Sequence, residues 1–558
     1  MSDFPWLTTL GVIPLVGAAV VALLPKGATR NVRPIALAFS LLTLVVGIVA
    51  ATQFKTSGDN PQFQLAETHS WIPQFGVSYA VGVDGMALSL ILMSLVLVPI
   101  SLLAAWNDIP EGGRRQQSYF ALLLVLETFM VGVFAATDVF LFYVFFEAML
   151  IPVYFLIGMF GGPRRQYAAV KFLLFSLFGG LIMLVAVIAL YQQGPGGDHG
   201  FLVNSLTGLH MSESTERLLF VGFFIAFAIK APMWPVHTWL PDAASEAKPA
   251  VAVLLVGVLD KVGTFGMIRF CLQLFPDASK WATPVVIILA VISIIYAAIA
   301  AIGQNDMMRL IAYTSVSHFG LIVLGIFAVT QTSVIGSQLY MVNHGITTAA
   351  LFLFAGFLIM RGKSKNITDY GGWQRTTPVL AGVSLVAGLS ALSLPGLNSF
   401  ISEFLVLIGT FERYPVAAGI SVVAVVLAAL YILLMYKNIF TGPKQQLVAA
   451  PDGTLAMAGV NGQGGRPSTG VTKTLFDEPD TDIADIPAEA KVRGSAIRDL
   501  DVREKTVAGV LIAIMLFLGF FPKPALDLLK PAVRDTLQHV NVHDPAPHAG
   551  VTTEGSSK

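Results

Sequence analysis

Charge is what this sequence has least of. Only 12% of its 558 residues are Asp, Glu, Lys or Arg, against 55% hydrophobic. Soluble domains carry roughly a quarter charged residues, so a chain this poor in charge cannot cover a water-facing surface. Its mean hydropathy of +0.74 assigns much of it to a bilayer. Acidic and basic residues balance to a net charge of zero, which excludes a general nucleic-acid binder with its basic surface. Cysteine is almost absent. Cys271 alone can form no intramolecular disulfide and cannot by itself hold an iron–sulfur cluster. The nine histidines are scattered, without HExxH-type spacing, and there is no GxGxxG dinucleotide loop and no Walker phosphate loop. The chain is therefore expected to carry no cofactor and no metal, and to hydrolyse no nucleotide. A basic segment before the first apolar run is missing too, and Asp3 stands there instead. The first run is thus expected to stay as a span and not to be cleaved as a signal.

Long apolar runs fill the rest. About 20 apolar residues cross the hydrocarbon core. Runs of that kind lie near 5–24, 34–53, 83–106, 117–135, 137–161, 167–191, 217–240, 248–274, 281–303, 306–329, 334–360, 377–411, 416–440 and 506–522. The expected fold is an all-α polytopic membrane protein of about fourteen transmembrane helices. The twelfth run is too long for one straight helix and carries Leu394-Pro395-Gly396-Leu397-Asn398-Ser399 in its middle, so it is expected to be broken. The seventh, with Pro232 and Pro235 after Lys230, is expected to break likewise. The breaks lie five spans apart. Five-span halves over 117–274 and 281–440 place them in corresponding positions, and an odd number of spans inverts the second half relative to the first, a transporter signature. Residues 1–116 form three leading spans with an outer loop, 441–505 a polar loop expected to be mostly disordered, and 506–558 a last span, an amphipathic stretch over Pro524–Val540 and a polar tail. Loops after odd-numbered spans hold about thirteen Lys and Arg, among them Arg114, Arg164 and Lys365, against about four in the others. The basic loops are therefore expected in the cytoplasm and both termini outside.

Charge does occur where it costs most. Glu127, Glu147, Lys230, Lys261, His318, His344 and Glu403 lie inside apolar runs. An ionisable group at bilayer depth costs at least a few kcal/mol, which makes function the default reading. Low dielectric disfavours the charged form of acid and base alike. A buried carboxylate beside a lysine can therefore switch: paired, both are charged; apart, each prefers neutrality. Such a set can pass protons. The rival readings differ by residue. Glu147 and Lys230 could form a structural ion pair. Asp260 could neutralise Lys261, although neighbours on a helix diverge by about 100°. His318 and His344 could be helix glue. Glu403 and Lys171 could snorkel to a surface, His237 and Asp242 could cap a turn, and Trp234 and Trp239 could be interfacial anchors.

Three stretches make the sequence recognisable. Phe227-Ala228-Ile229-Lys230-Ala231-Pro232-Met233-Trp234-Pro235-Val236-His237-Thr238-Trp239-Leu240-Pro241-Asp242-Ala243 resembles the signature of the antiporter-like subunits of respiratory complex I. Relatives of these subunits occur in multi-subunit cation/proton antiporters and membrane-bound hydrogenases. Leu141–Pro152, around Glu147, resembles the fifth-helix motif of that family, and Ala312–His318 its tenth-helix motif. The resemblance covers residues 80–440. Within the family it is nearest the M type, because the twelfth run offers Glu403 where the L and N types usually place lysine as the terminal group, and because no long lateral helix follows.

The resemblance implies a proton path in which Glu147 and Lys230 switch, Lys261 relays and His318, His344 and Glu403 continue, with Glu127 and Lys171 as further candidates. It implies a proton-pumping subunit of an NADH–quinone oxidoreductase. NADH, FMN, iron–sulfur clusters and quinone would be held by partner subunits, and L-type and N-type subunits would be its neighbours in a bacterial plasma membrane. An antiporter subunit without redox coupling and a structural membrane scaffold are the alternatives. Asp260 and the 443–504 insert depart from the family pattern.

Overall fold

The computed structural model describes residues 4–56, 60–442, 447–449, 455–457, 497–540 and 544. In a bilayer every backbone N–H and C=O must be satisfied within the protein, and helices do this segment by segment. The described chain is accordingly a helical bundle: α1 (Trp6–Leu23), α2 (Val32–Gln53), α3 (Gly85–Ala104), α4 (Arg114–Ala135), α5 (Val139–Ala148), α6 (Leu150–Phe160), α7 (Arg165–Gln193), α8 (Val203–Leu206), α9 (Glu213–Lys230) and α10 (Trp239–Glu246). It continues with α11 (Pro249–Leu254), α12 (Lys261–Gly266), α13 (Pro276–Ile302), α14 (Met307–Ala328), α15 (Gln331–Gly362), α16 (Pro378–Ala391), α17 (Asn398–Phe411), α18 (Pro415–Phe440), α19 (Val502–Phe520) and α20 (Lys523–Val540).

Eleven stretches among the described residues are long and apolar enough to cross a membrane, or twelve if the bent α19–α20 pair counts as one. The fourteen expected from sequence include the seventh and twelfth runs, which are broken into pieces too short or too charged for that count. Both breaks fall where proline and glycine placed them: Ala231–Thr238 separates α9 from α10, and Leu392–Leu397 separates α16 from α17. The tight boundary at Ala136–Asp138 is also present. Asp138 caps α5 by accepting from the backbone N–H of Phe140 and Leu141, each at 2.9 Å.

Several features differ from the expectation. The fold is not wholly helical: β1 (Gln64–Ile72) and β2 (Val77–Val83) form an antiparallel hairpin in the loop before α3, and Asp138 accepts from Ser78 N of β2 at 3.0 Å. The short strands β3 (Leu447–Ala449) and β4 (Leu455–Met457) pair within the polar insert, most of which lies outside the described residues. The end of that insert is docked. Asp499 accepts from the N–H of Val379 and Leu380 at the start of α16, and Arg361 donates to Glu504 at 2.6 Å. The last span thus starts at Val502, ahead of the expected 506. The stretch read as weakly amphipathic is the helix α20, which turns 69° from α19 and packs Leu529, Val533, Leu537 and Val540 against the bundle. The tail from Asn541 lies, Asp544 apart, outside the described residues.

Burial orders the helices. The eighth span, Pro249–Leu272, is buried throughout its apolar window, and α14 through 94% of it, whereas α1 and α18 each bury 33% and keep apolar faces outward. The most enclosed helices are therefore those that carry Lys261 and His318.

Candidate functional site

Four of the ionisable groups, Glu147, Lys230, Lys261 and Glu403, sit at or just after an interruption of helix geometry, whereas Glu127, Lys171, His318 and His344 lie within continuous helices. Glu147 lies two residues before Met149, where α5 gives way to α6. Lys230 is the last residue of α9. Lys261 opens α12, a short α segment between two π-helical turns, Leu255–Leu259 and Met267–Leu272. Glu403 follows the α16–α17 break, where Ser393 and Gly396 adopt positive φ of 57° and 94°. Interrupted helices leave carbonyls without helical partners, and neighbours must supply donors. Trp239 does so at the first break, donating its indole N–H to Ile229 O at 2.9 Å. Fully buried, it locks the break and is not the interfacial anchor expected of it. At the second break Asn343 and Asn398 bond reciprocally, each side chain donating to the other's carbonyl at 2.7 and 3.0 Å.

The first pair is close but not joined. Lys230 Nζ and Glu147 Oε1 each lack a hydrogen-bond partner among the described residues, although the two groups interact electrostatically. Lys230 Nζ lies over the ring faces of Phe146 and Phe172, 4.8 and 5.8 Å from their centroids, a cation–π setting. Glu147 rests against Gly180 of α7, where a methyl group would overlap Oε1.

From Lys261 the polar groups connect. The π turn brings the carbonyl five residues back within reach: Lys261 Nζ donates to Val256 O and meets His344 Nδ1, both at 2.7 Å. Since an ammonium can only donate, His344 Nδ1 accepts, leaving Nε2–H to face Thr348 Oγ1 at 3.2 Å. The His344 and His318 rings meet edge to face, 5.3 Å between centroids. His318 Nε2 lies 3.3 Å from the Tyr431 hydroxyl. Glu403 accepts from the Ser393 hydroxyl and acts electrostatically on Tyr340 and Tyr431. Lys261, His344, His318, Tyr431 and Glu403 thus form one buried string across α12, α15, α14, α18 and α17.

Two candidates stand apart. Glu127 is fully buried on α4, with Ser40 Oγ at 3.3 Å from Oε1 and no partner on Oε2. Lys171 is held in an ion pair with Asp242 at 2.6 Å, whose other oxygen takes Arg309 at 2.5 Å. Reading the sequence residue by residue missed Tyr340 and Tyr431, because tyrosines in an apolar run carry no distinguishing signal. It also missed the buried Arg269–Asp84 pair at 2.6 Å, although Arg269 stands alone in Gly266–Phe270 as plainly as Lys230 does in its own run. Among the described residues no three His, Cys, Asp or Glu side chains are placed to hold a metal ion.

Comparison with known proteins identifies the family. The family model described as NADH:quinone oxidoreductase/Mrp antiporter, transmembrane, matches residues 136–429, which hold Glu147, Lys171, Lys230, Lys261, His318, His344 and Glu403 but not Glu127 or Tyr431. The chain is 47% identical to the NADH-quinone oxidoreductase subunit M of Mycobacterium tuberculosis, over 98% of this chain and 96% of the relative. It is 34% identical to subunit M of Rhodobacter capsulatus, over 96% of each. Among solved structures, a chain of respiratory complex I from Thermus thermophilus superposes with a TM-score of 0.78 at 28% identity, over 96% of this chain and 99% of that one. A chain of the Mrp complex from Dietzia shares the fold, with a TM-score of 0.79 at 20% identity over 97% and 100%. The chain belongs to the NADH:quinone oxidoreductase and Mrp antiporter transmembrane family, on the branch of the M-type, antiporter-like subunits of complex I.

Proposed function

We propose that this chain is one proton-translocating module of an NADH–quinone oxidoreductase, driven by electron transfer in partner subunits that hold NADH, FMN, iron–sulfur clusters and quinone. The observation that carries the reading is the buried string from Lys261 through His344 and His318 to Tyr431 and Glu403, on helices broken or distorted at the charged positions. A scaffold would close each buried charge with a partner. Here Lys230 and Glu147 are left unjoined.

In this mechanism a charge change arriving at Glu147 alters its attraction for Lys230. With effective dielectric near 20, two unit charges about 6 Å apart interact by about 3 kcal/mol, enough to shift a protonation equilibrium about 100-fold. Lys261 answers by exchanging a proton with His344, whose accepting Nδ1 already faces it, and Glu403 exchanges with the far side. Lys171, paired with Asp242 and Arg309, holds α10 in place. Glu127, bonded only by Ser40, is a proton group off the main string. The oxidoreductase chemistry belongs to the assembly; this chain contributes proton transfer.

The bias of basic loops supports an orientation with both termini outside a bacterial plasma membrane. The two breaks support inverted five-span halves within a fourteen-span chain, with L-type and N-type subunits as neighbours. Purification of the tagged chain in mild detergent tests the reading. NADH–quinone activity with flavin- and cluster-bearing partners is the expected product, and proton pumping should vanish in an assembled Lys230→Ala complex. Recovery of small membrane subunits alone, without NADH oxidation, would point to a cation/proton antiporter assembly. Full pumping by the assembled Lys230→Ala complex would point to a scaffold.

A further inference from the structure

A gap remains between the two lysines. Lys230 ends α9 and Lys261 opens α12, and no hydrogen bond joins them. Asp260 stands at that gap. It is completely buried, and neither of its carboxylate oxygens has a hydrogen-bond partner among the described residues. Half-buried Glu147 also has an unbonded Oε1, but among the fully buried carboxylates described Asp260 stands apart. Asp84 holds Arg269, Asp138 three backbone N–H groups, Asp242 Lys171 and Arg309, Glu246 the Arg164 N–H, Glu403 Ser393, Glu504 Arg361, and even Glu127 has Ser40. Nor does Asp260 cap the segment it precedes, for its side chain accepts no backbone N–H there. A buried, unbonded carboxylate destabilises a fold unless a charge nearby or a proton offsets it.

Its direction follows from the helix. Residues three apart share a helix face. Gly263, three after Asp260, marks the face where the eighth span touches the end of α9: a methyl there would lie 2.5 Å from Phe227 O and Ala231 N, on either side of Lys230. Asp260 is on that face. Lys261, one residue on, points about 100° away, toward His344. The Asp260 carboxylate interacts electrostatically with Lys230 and Lys261 both.

We propose that Asp260 is a relay carboxylate that carries the proton from Lys230 to Lys261. This rests on the reading of those lysines as proton carriers. In the first step the Lys230 ammonium gives a proton to the Asp260 carboxylate, leaving a neutral amine and a carboxylic acid. In the second the acid gives that proton to a neutral Lys261, which becomes the ammonium facing His344. One proton has moved, and Asp260 has returned to its starting charge. The π turn before Asp260 and the close approach at Gly263 set the carboxylate between the two amines.

The test uses the whole complex in sealed proteoliposomes, comparing Asp260→Asn, Asp260→Glu and Lys261→Met by protons pumped per NADH oxidised. Asp260→Asn is expected to cut pumping about 10-fold or more, a modest general acid–base effect, and Asp260→Glu to restore at least about half. Pumping by Asp260→Asn at the native ratio while Lys261→Met pumps none would overturn the relay and leave the proton-path reading standing. Native pumping by both variants would overturn that reading itself. If Asp260→Asn does not assemble, infrared difference spectra of the native and Asp260→Glu complexes with and without NADH decide. A carboxylic acid band that appears on turnover and shifts in Asp260→Glu supports the relay. A spectrum identical in the two overturns it.

Discussion

A single methyl group at Gly180 tests whether the position of Glu147 matters. Its Cβ would overlap Glu147 Oε1, the far end of a flexible side chain, and the α7 backbone need not move. The carboxylate can swing aside, and alanine favours a helix over glycine by about 1 kcal/mol, so Gly180→Ala is expected to leave assembly and thermal stability near native. The cost should fall on coupling. With an effective dielectric near 20, retreat of the carboxylate from about 6 to about 8 Å from its partner charge weakens the attraction by about 0.7 kcal/mol, or about 3-fold. Gly180→Ala complexes in proteoliposomes should therefore pump about 3-fold more slowly while Glu147→Gln pumps little. Gly382→Ala, where nothing lies within 4 Å, is the matched control and should pump normally. Native pumping by Gly180→Ala in a complex of native composition would refute the reasoning, because the carboxylate's position would then be immaterial.

The other predictions concern folding and the string beyond Lys261. Gly263→Ala meets backbone atoms at 2.5 Å, which cannot swing away, so it should lower the yield of assembled complex on native gels, unlike Gly180→Ala. Asp138→Ala removes the acceptor for three N–H groups and should cost about 1–2 kcal/mol, read as a lower melting temperature. Arg361→Ala leaves the buried Glu504 carboxylate without its cation, bonded only by the Asp501 N–H, at a cost of about 3 kcal/mol, and should expose 497–504 to limited proteolysis. His344→Phe keeps ring bulk but removes the acceptor facing Lys261, and should abolish pumping with assembly retained.

Much of this was legible in the sequence because the bilayer penalises charge so heavily. Lys230, Lys261 and Glu147 stood out in apolar runs, and Pro232, Pro235 and Pro395-Gly396 marked both breaks correctly. What stayed hidden was set by neighbours. The π turns around Lys261 have no local signature, since Leu255-Val256-Gly257-Val258-Leu259 would suit an ordinary α-helix equally well. The hairpin Gln64–Val83 lies between two apolar runs, and its strands of nine and seven residues are too short to register as spans. The partners of Lys171, Asp242 and Arg309, come from other spans and so carry no signal near it in the sequence. Asp260 was visible but read only against Lys261, because sequence adjacency concealed that its face of the helix meets Lys230.

The broken twelfth span has a consequence for how the chain is made. Its halves, α16 and α17, hold 14 residues each, about 21 Å of helix against a hydrocarbon core of about 30 Å. Neither can be threaded into lipid as a stable unit, and the carbonyls between them need donors on arrival. Chain order provides these. Asn343, on the long α15, leaves the ribosome 55 residues before Asn398 and is in the membrane when its partner emerges. A completed helix thus serves as the template on which an incomplete one is laid down, and the order of synthesis does for this span what hydrophobicity does for the others.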